Sequence, residues 1–443
     1  MNMNRDRDMN RDMDMVNMNM NKYDSSNIKV ISPIGGEAKR LKPLTVEISK
    51  ACVRMINRPL IEIPTLCLAL QGVKTFILGV KGYLNYKSLH DYFGDGRGIS
   101  TIYNIEPRIH MKYQPNEPDI GSADSLRINL NYYNIDSPVF IMQSDNIFDL
   151  SLRDVVEYHK KKGALMTIIL KEVKDTREYG VAVTAGDMRI KTFLEKPEKS
   201  PSNLANTGLY LLSPEIREIL NSEEIKELMK KGQFDMGTHM IPYLVEKGYP
   251  VYGYVSDRVW YDVGSPSRYL EATKAVLGGN LAYLRGFGGK VRDGVWIEGF
   301  SKESLQRRRV IVEKNKNGFI SLEKPVLIGR HCHIDDGARI KNSVIDNFCI
   351  IGRNTTIENS VIMDRAIIEE GARIRDSIVG RHCTIKSSML KPTLMEDISV
   401  TGDNVTVGRG YHLKNTRIWP HIKLPDNMEL KDSQIIKPED LVS

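Results

Sequence analysis

The chain predicts an α/β domain built on a mostly parallel sheet, followed by a C-terminal parallel β-helix. Three observations predict it. Between Ile28 and Leu277, strand-like and helix-like patterns alternate, the arrangement whose crossover helices a parallel sheet requires. Beyond Val326, aliphatic residues recur with a fixed period over several repeats, as expected of a stacked solenoid. Between the two, composition shifts through the Gly-rich LGGN and GFGGK to a basic run, Arg307 to Arg309.

At 443 residues the chain exceeds one ordinary core and predicts two domains. Residues 1–27 alternate Met and Asn with Arg and Asp, a composition that cannot build a core and predicts a disordered extension. Residues 28–278 form the α/β domain. Here NIKVISPI reads as a first strand, IGGEAKR as a turn, and RPLIEIPTLCLALQG as a helix with Pro59 near its start. KTFILGV, SPVFIMQSDN and ALMTIILKEV read as further strands, with YKSLHDYFG and LRDVVEYHKKKG as helices. Ligands of such sheets bind beyond the carboxyl ends of the strands, where Gly35, Gly36, Gln143 and Asp145 fall. Residues 279–325 are the expected connector.

In the last segment, 326–443, Ile328, Ile334, Ile340, Ile345, Ile351, Ile357, Ile362, Ile368, Ile374, Val379 and Ile385 are spaced by six, six and then five, so the period is 17 residues. That spacing makes three columns and therefore three faces, each inward residue stacking on its equivalent one coil away. Gly329, Gly352 and Gly380 follow inward residues, where a side-chain-free position suits a tight corner. Cys332, Cys349, Ala366 and Cys383 share one column, a pattern that suits small buried hydrophobes better than a metal or redox site.

A formal charge of +7 arises from bases interleaved with acids along nearly the whole chain, which argues against a dedicated nucleic-acid face. No apolar run approaches the roughly 18 residues of a spanning helix, so no membrane partner is expected. Five cysteines without a C-x-x-C pair imply no disulfide framework and a cytoplasmic, reducing setting.

Gly35-Gly36-Glu37-Ala38-Lys39-Arg40-Leu41 follows a strand and is succeeded by LKPLT and Lys50. This stretch resembles the signature of nucleoside-diphosphate-sugar pyrophosphorylases, G-G-x-G-[ST]-R-L-x-P-L-T followed by P-K-P. The resemblance implies a Rossmann-like sugar-1-phosphate nucleotidyltransferase domain in which Arg40 and Lys50 are the triphosphate-binding cations and Gly35 and Gly36 cradle phosphate. Ala38 stands where Gly is usual, Lys39 replaces the Ser or Thr, and Ser49-Lys50-Ala51 replaces Pro-Lys-Pro. A positive φ at Ala38 would cost about 1 kcal/mol. YQPNEPDIGSADSLRI resembles the base-holding segment and implies that role for Gln114, Gly121 and Ser122. VWYDVGSPSRYLEA matches W-x-D-[IV]-G-[ST]-P and implies that Asp262 joins Asp145 in holding Mg²⁺. REYGVAV, FLEKP and ANTGLY follow in family order and imply that Gly180, Glu195, Lys196, Asn206 and Gly208 bind the sugar phosphate. The repeat region resembles the left-handed β-helix of hexapeptide-repeat proteins.

The substrates implied are a nucleoside triphosphate and a sugar 1-phosphate, with glucose 1-phosphate and dTTP or UTP ahead of mannose 1-phosphate and GTP. A homo-oligomer is expected of such a solenoid. Two alternatives stay open: acyl transfer from coenzyme A in the β-helix, with His331, His333 or His382 as base, and a non-catalytic regulatory subunit.

Overall fold

The computed structural model describes residues 25–440 apart from 37, 116, 285–288, 428, 438 and 439. Residues 1–24 of the expected disordered extension lie outside the described residues, and Ser25–Asn27 form a 3₁₀ turn. The chain forms two compact units: one holds residues 1–35, 64–144 and 150–260, the other 36–63, 145–149 and 261–443.

The first unit is built on a nine-stranded sheet. Its strands are β1 (Lys29–Ile34), β2 (Thr75–Val80), β3 (His110–Tyr113), β4 (Val139–Met142), β5 (Met166–Glu172), β6 (Gly180–Thr184), β7 (Ile190–Glu195), β8 (Leu204–Leu212) and β9 (Val251–Val255). The order along the main path is β7-β6-β8-β4-β1-β2-β3, with β5 pairing both β8 and β9. The half read most clearly from sequence is parallel: β1 runs with β2 and β4, and β2 with β3. Strand β8 runs antiparallel to β4 and β5, so the sheet is mixed. Val30, Ile31, Phe76, Ile77, Phe140 and Ile141 are fully buried, which is why these strands read as continuous apolar runs with no solvent-facing alternation.

Some boundaries moved. The helix expected from Pro59 is α1 (Glu62–Ala69), while Arg58–Pro59 pairs with Arg54–Met55 in a short antiparallel hairpin. Pro64 in the first helical turn is compatible with helix because the first amides lack intrahelical partners anyway. The strand expected to end at Asp145 stops at Met142, and Asp145 lies in the turn that follows.

In the second unit the 17-residue register is realised as parallel pairing. Ile334, Ile351, Ile368 and Ile385 stack in one column, Ile340, Ile357 and Ile374 in a second, and Ile328, Ile345, Ile362 and Val379 in a third. All are at most 2% exposed and share one core. The repeat continues, but one coil is longer: Ile385 pairs with Val407, 22 positions on, because residues 388–392 loop outward between buried Ser387 and Thr393, with Leu390 exposed. Seventeen returns afterwards, with Ile418 on Thr401 and Ile435 on Ile418.

Gly329, Gly352 and Gly380 serve close approach and have no positive φ. A Cβ there would stand 2.6, 2.7 and 2.3 Å from backbone of the next coil. The left-handed corners fall elsewhere, as in the column His331, Phe348, Arg365 and His382, with φ between 57° and 59°. The cysteine column is structural: the thiols of Cys332, Cys349 and Cys383 donate to the carbonyls of Asp346, Met363 and Gly402.

Part of the expected connector is built into the stack. Val295–Ile297 pairs parallel with Val326–Ile328, and the basic run lies in a helix, Lys302–Lys316, that buries Ser304 and Ile311. No helix among the described residues is long and apolar enough to cross a membrane.

Candidate active site

The four residues expected to carry catalysis, Arg40, Lys50, Asp145 and Asp262, all belong to the second unit. The loop after β1 turns at Ala38, whose φ of 47° and ψ of 41° are left-handed, as the signature demands of that position. The carbonyl of Ala38 accepts from Leu41 N and Thr45 Oγ1, and a 3₁₀ turn over Lys39–Leu41 presents Arg40. Lys50 opens a second 3₁₀ turn, Lys50–Cys52.

Asp145 and Asp262 come together because their segments pair. Asn146–Phe148 and Trp260–Asp262 form a two-stranded sheet, and Val263 N donates to Asp145 O at 3.0 Å. Lys50 Nζ forms an ion pair with Asp145 Oδ2. Arg268 Nη1 donates to Asp262 Oδ2 at 2.7 Å. Arg40 also approaches: a Cβ on Gly264 would lie 2.9 Å from its Nη2 and 3.2 Å from Asp262 Oδ2, so glycine keeps the space in which cation and carboxylate meet.

Burial, and then the neighbouring Asp145 carboxylate, push the Asp262 carboxyl above its usual range, against the pull of Lys50, Arg268 and Arg40. Asp145 Oδ1 is buried with no hydrogen-bond partner among the described residues, and a buried carboxylate oxygen left so is costly. Two carboxylates, one with an unmet oxygen, fit a hard divalent cation that takes its other ligands from phosphate and water. No group of three or more His, Cys, Asp or Glu among the described residues is arranged to hold a metal by itself.

Of the remaining expected site residues, Gly36 lies in the second unit and the others in the first. Gln114 is buried and its amide is saturated: Nε2 donates to Glu117 O and Asp119 Oδ2, and Oε1 accepts from Ser125 Oγ and Asn129 Nδ2. A base edge would have to exchange with one of these partners. Gly121 and Ser122 begin the helix Ser122–Tyr132. Ser122 donates through N and Oγ to Asp235 Oδ1 and accepts from Met236 N.

Glu195 ends β7 in a slot that only glycines leave open. A Cβ on Gly180 or Gly237 would stand 2.7 or 2.6 Å from Glu195 Oε2. Burial raises the Glu195 carboxyl, helped by Asp235 and opposed by Lys196, whose Nζ lies 3.9 Å from Oε1. Asn206 Oδ1 accepts from Gly208 N, and its Nδ2 donates to Tyr210 Oη. These bonds shape the irregularity where β8 changes register between Asn206 and Tyr210. Trp260 closes the same turn by donating to Thr207 O.

Two residues bonded to expected site residues escaped the sequence reading. Arg268 lies six positions after Asp262, one turn into the helix Pro266–Leu277, a spacing that was available as a signal. Asp235 accepts from Ser122 and its charge helps raise the Glu195 carboxyl, and nothing in its local sequence marks it.

The histidines of the alternative reading carry no such arrangement. His331 stacks on Phe348 at 4.9 Å, and His333 bonds Asp335 on the exterior.

Residues 33–278 match the family described as Nucleotidyl transferase. The chain belongs to the nucleotidyl transferase family. Residues 322–436 match the GMPPB C-terminal domain. The UTP–glucose-1-phosphate uridylyltransferase of Synechocystis sp. is 30% identical over 370 residues, 81% of this chain and 89% of its own. The mannose-1-phosphate guanyltransferases of Pichia angusta and Candida albicans are 28% and 27% identical, covering 89% and 91% of this chain and 97% and 98% of theirs. The expectation drawn from the motifs is met in fold class and in activity: the nucleotidyl transferase acts as a sugar-1-phosphate nucleotidyltransferase.

Proposed function

We propose that the enzyme is a cytoplasmic, Mg²⁺-dependent homo-oligomer whose nucleotidyl transfer is carried by Arg40, Lys50, Asp145 and Asp262. The observation that carries this reading is the pair of aspartates brought together from distant sequence, one with an unmet buried oxygen. An oxygen of the sugar 1-phosphate attacks the α-phosphorus of the triphosphate. A new P–O bond forms as the bond to the pyrophosphate oxygen breaks, and that electron pair leaves with pyrophosphate. A phosphate oxygen is already nucleophilic at neutral pH, so positioning and charge neutralisation supply the rate. Mg²⁺ held by Asp145 and Asp262 would neutralise charge building on the phosphates. Arg40 holds the triphosphate through charge-assisted hydrogen bonds. Lys50, tethered to Asp145, and Arg268, tethered to Asp262, keep the carboxylates oriented while leaving Asp145 Oδ1 open.

Gly35 and Gly36 let the loop backbone approach phosphate. Gln114, Gly121 and Ser122 take the base, with Gln114 exchanging an internal bond for the base edge. Glu195 suits paired sugar hydroxyls and Lys196 the sugar's phosphate, with Gly180, Asn206 and Gly208 shaping the wall.

Glucose 1-phosphate with UTP is the first substrate pair, in keeping with the cyanobacterial relative. Mannose 1-phosphate with GTP is the second, favoured by the C-terminal match and the fungal relatives. A pyrophosphate-release matrix of UTP, dTTP and GTP against the two sugar phosphates tests this. The expected outcome is release that requires both substrates and Mg²⁺, with one of the two named pairs dominant. Release without sugar phosphate, or dominance of another pair, contradicts it.

A further inference from the structure

We infer that the β-helix is a positioning element of the catalytic centre and that Arg417 sets the phosphate loop; this rests on the reading of Arg40 as a triphosphate ligand. Within the second unit, Arg417 Nη1 donates to the carbonyls of Arg40 and Lys42 at 3.3 and 3.4 Å. It therefore grips the backbone on both sides of Leu41, at the residue that bears the Arg40 side chain and at Lys42. The loop's own bonds are short-range turns, Leu41 N to Ala38 O, Lys42 N to Lys39 O and Leu44 N to Leu41 O, and it holds a left-handed alanine that disfavours its shape.

The grip is repeated along the whole segment that carries Arg40 and Lys50. His421 Nε2 bonds Glu47 Oε1 at 2.6 Å. Both oxygens of Asp346, itself 2% exposed, accept from Arg54, and Asn57 Nδ2 donates to Glu298 Oε2 at 3.0 Å. The helix that follows Asp262 is tied as well, through Lys274 and Asp376 at 3.0 Å.

A solenoid merely appended to the enzyme would need contacts at its junction alone. Here the partners run from Glu298 to His421, almost the length of the stack, and they meet the segments bearing Arg40, Lys50 and Asp262. Stacked coils share a continuous core, and catalytic groups are held best by such rigid elements. The buried Asp346 pair fixes the far end of the segment, and Arg417 fixes the end nearest the phosphates. Arg417 touches backbone only, so it is a positioning residue whose loss is felt through Arg40.

Full-length Arg417→Ala, Arg417→Lys and Arg40→Ala, with the exposed coil arginine Arg373→Ala as control, test this in steady-state pyrophosphate release. Arg417→Ala is expected to raise the KM for the triphosphate about ten-fold, as loss of one oriented charge-assisted contact would. The KM for the sugar phosphate and the unfolding midpoint stay near wild type, Arg417→Lys recovers part of the loss, and Arg373→Ala is silent. If Arg40→Ala raises the triphosphate KM and Arg417→Ala does not, the positioning role is overturned while the reading of Arg40 stands. An equal loss for both substrates with a lowered unfolding midpoint also overturns it, as plain structural damage. If Arg40→Ala itself has no effect, the reading of Arg40 fails and the inference falls with it.

Discussion

Ala38 takes a φ of 47° at the turn of the phosphate loop, a conformation that glycine adopts freely and alanine does not. The alanine stands where the signature has glycine, and the left-handed turn is kept despite the side chain. Ala38→Gly should therefore stabilise the protein by about 1 kcal/mol, read as a higher denaturant midpoint. An unchanged or lowered midpoint would show that the alanine is compensated elsewhere. Gln114 teaches the reverse. Its family match implies a base-reading role, but no spacing in the sequence foretold that Ser125, Asn129, Asp119 and Glu117 would saturate its amide. Arg268 and Asp235 were missed for a related reason: each acts through a partner distant in sequence or one helical turn away, and a motif records the ligand more readily than its support.

At the scale of elements, legibility followed periodicity. The three β-helix columns were readable because a 17-residue register leaves little freedom once each strand has one inward aliphatic. The long coil was not, since residues 388–392 loop outward and so carry no core signal. Strand direction in the sheet was only half legible: β1, β2 and β4 announce parallel crossovers through their helices, whereas β6, β7 and β8 follow one another without helices and turn antiparallel. The helix Lys302–Lys316 hid inside a basic run because only Ser304 and Ile311 of it are buried.

One helix also makes a pH prediction. His159, on the helix Leu152–Lys162, is buried between Thr167 Oγ1 and Ser213 Oγ, and burial lowers its pKa from 6.5 to about 4. The unfolded chain thus takes up a proton that the folded chain refuses. The stability this group contributes is complete above pH 6.5 and is lost as pH falls from there through 4, about 3 kcal/mol in all. His159→Gln should flatten the fall in unfolding free energy between pH 6.5 and 4. An equal slope in wild type and variant would refute the assignment.

For the molecule as a whole, the division of labour is unexpected from the linear order of the motifs. The motifs fall within residues 33–278, yet the residues read as catalytic pack with the β-helix, and those read as taking base and sugar pack around the nine-stranded sheet. Sequence order concealed this because the chain leaves the sheet twice, at 36–63 and at 145–149, to deliver Arg40, Lys50 and Asp145 to Asp262. The account stands or falls on that delivered pair. The most direct measurement is pyrophosphate release by full-length Asp145→Asn in Mg²⁺ with both substrates present, alongside its unfolding midpoint. The substitution keeps size and removes charge, so the midpoint should stay near that of the wild type while turnover falls at least a hundred-fold, roughly the effect of losing one transition-state charge contact. Undiminished release from the folded variant would contradict the account.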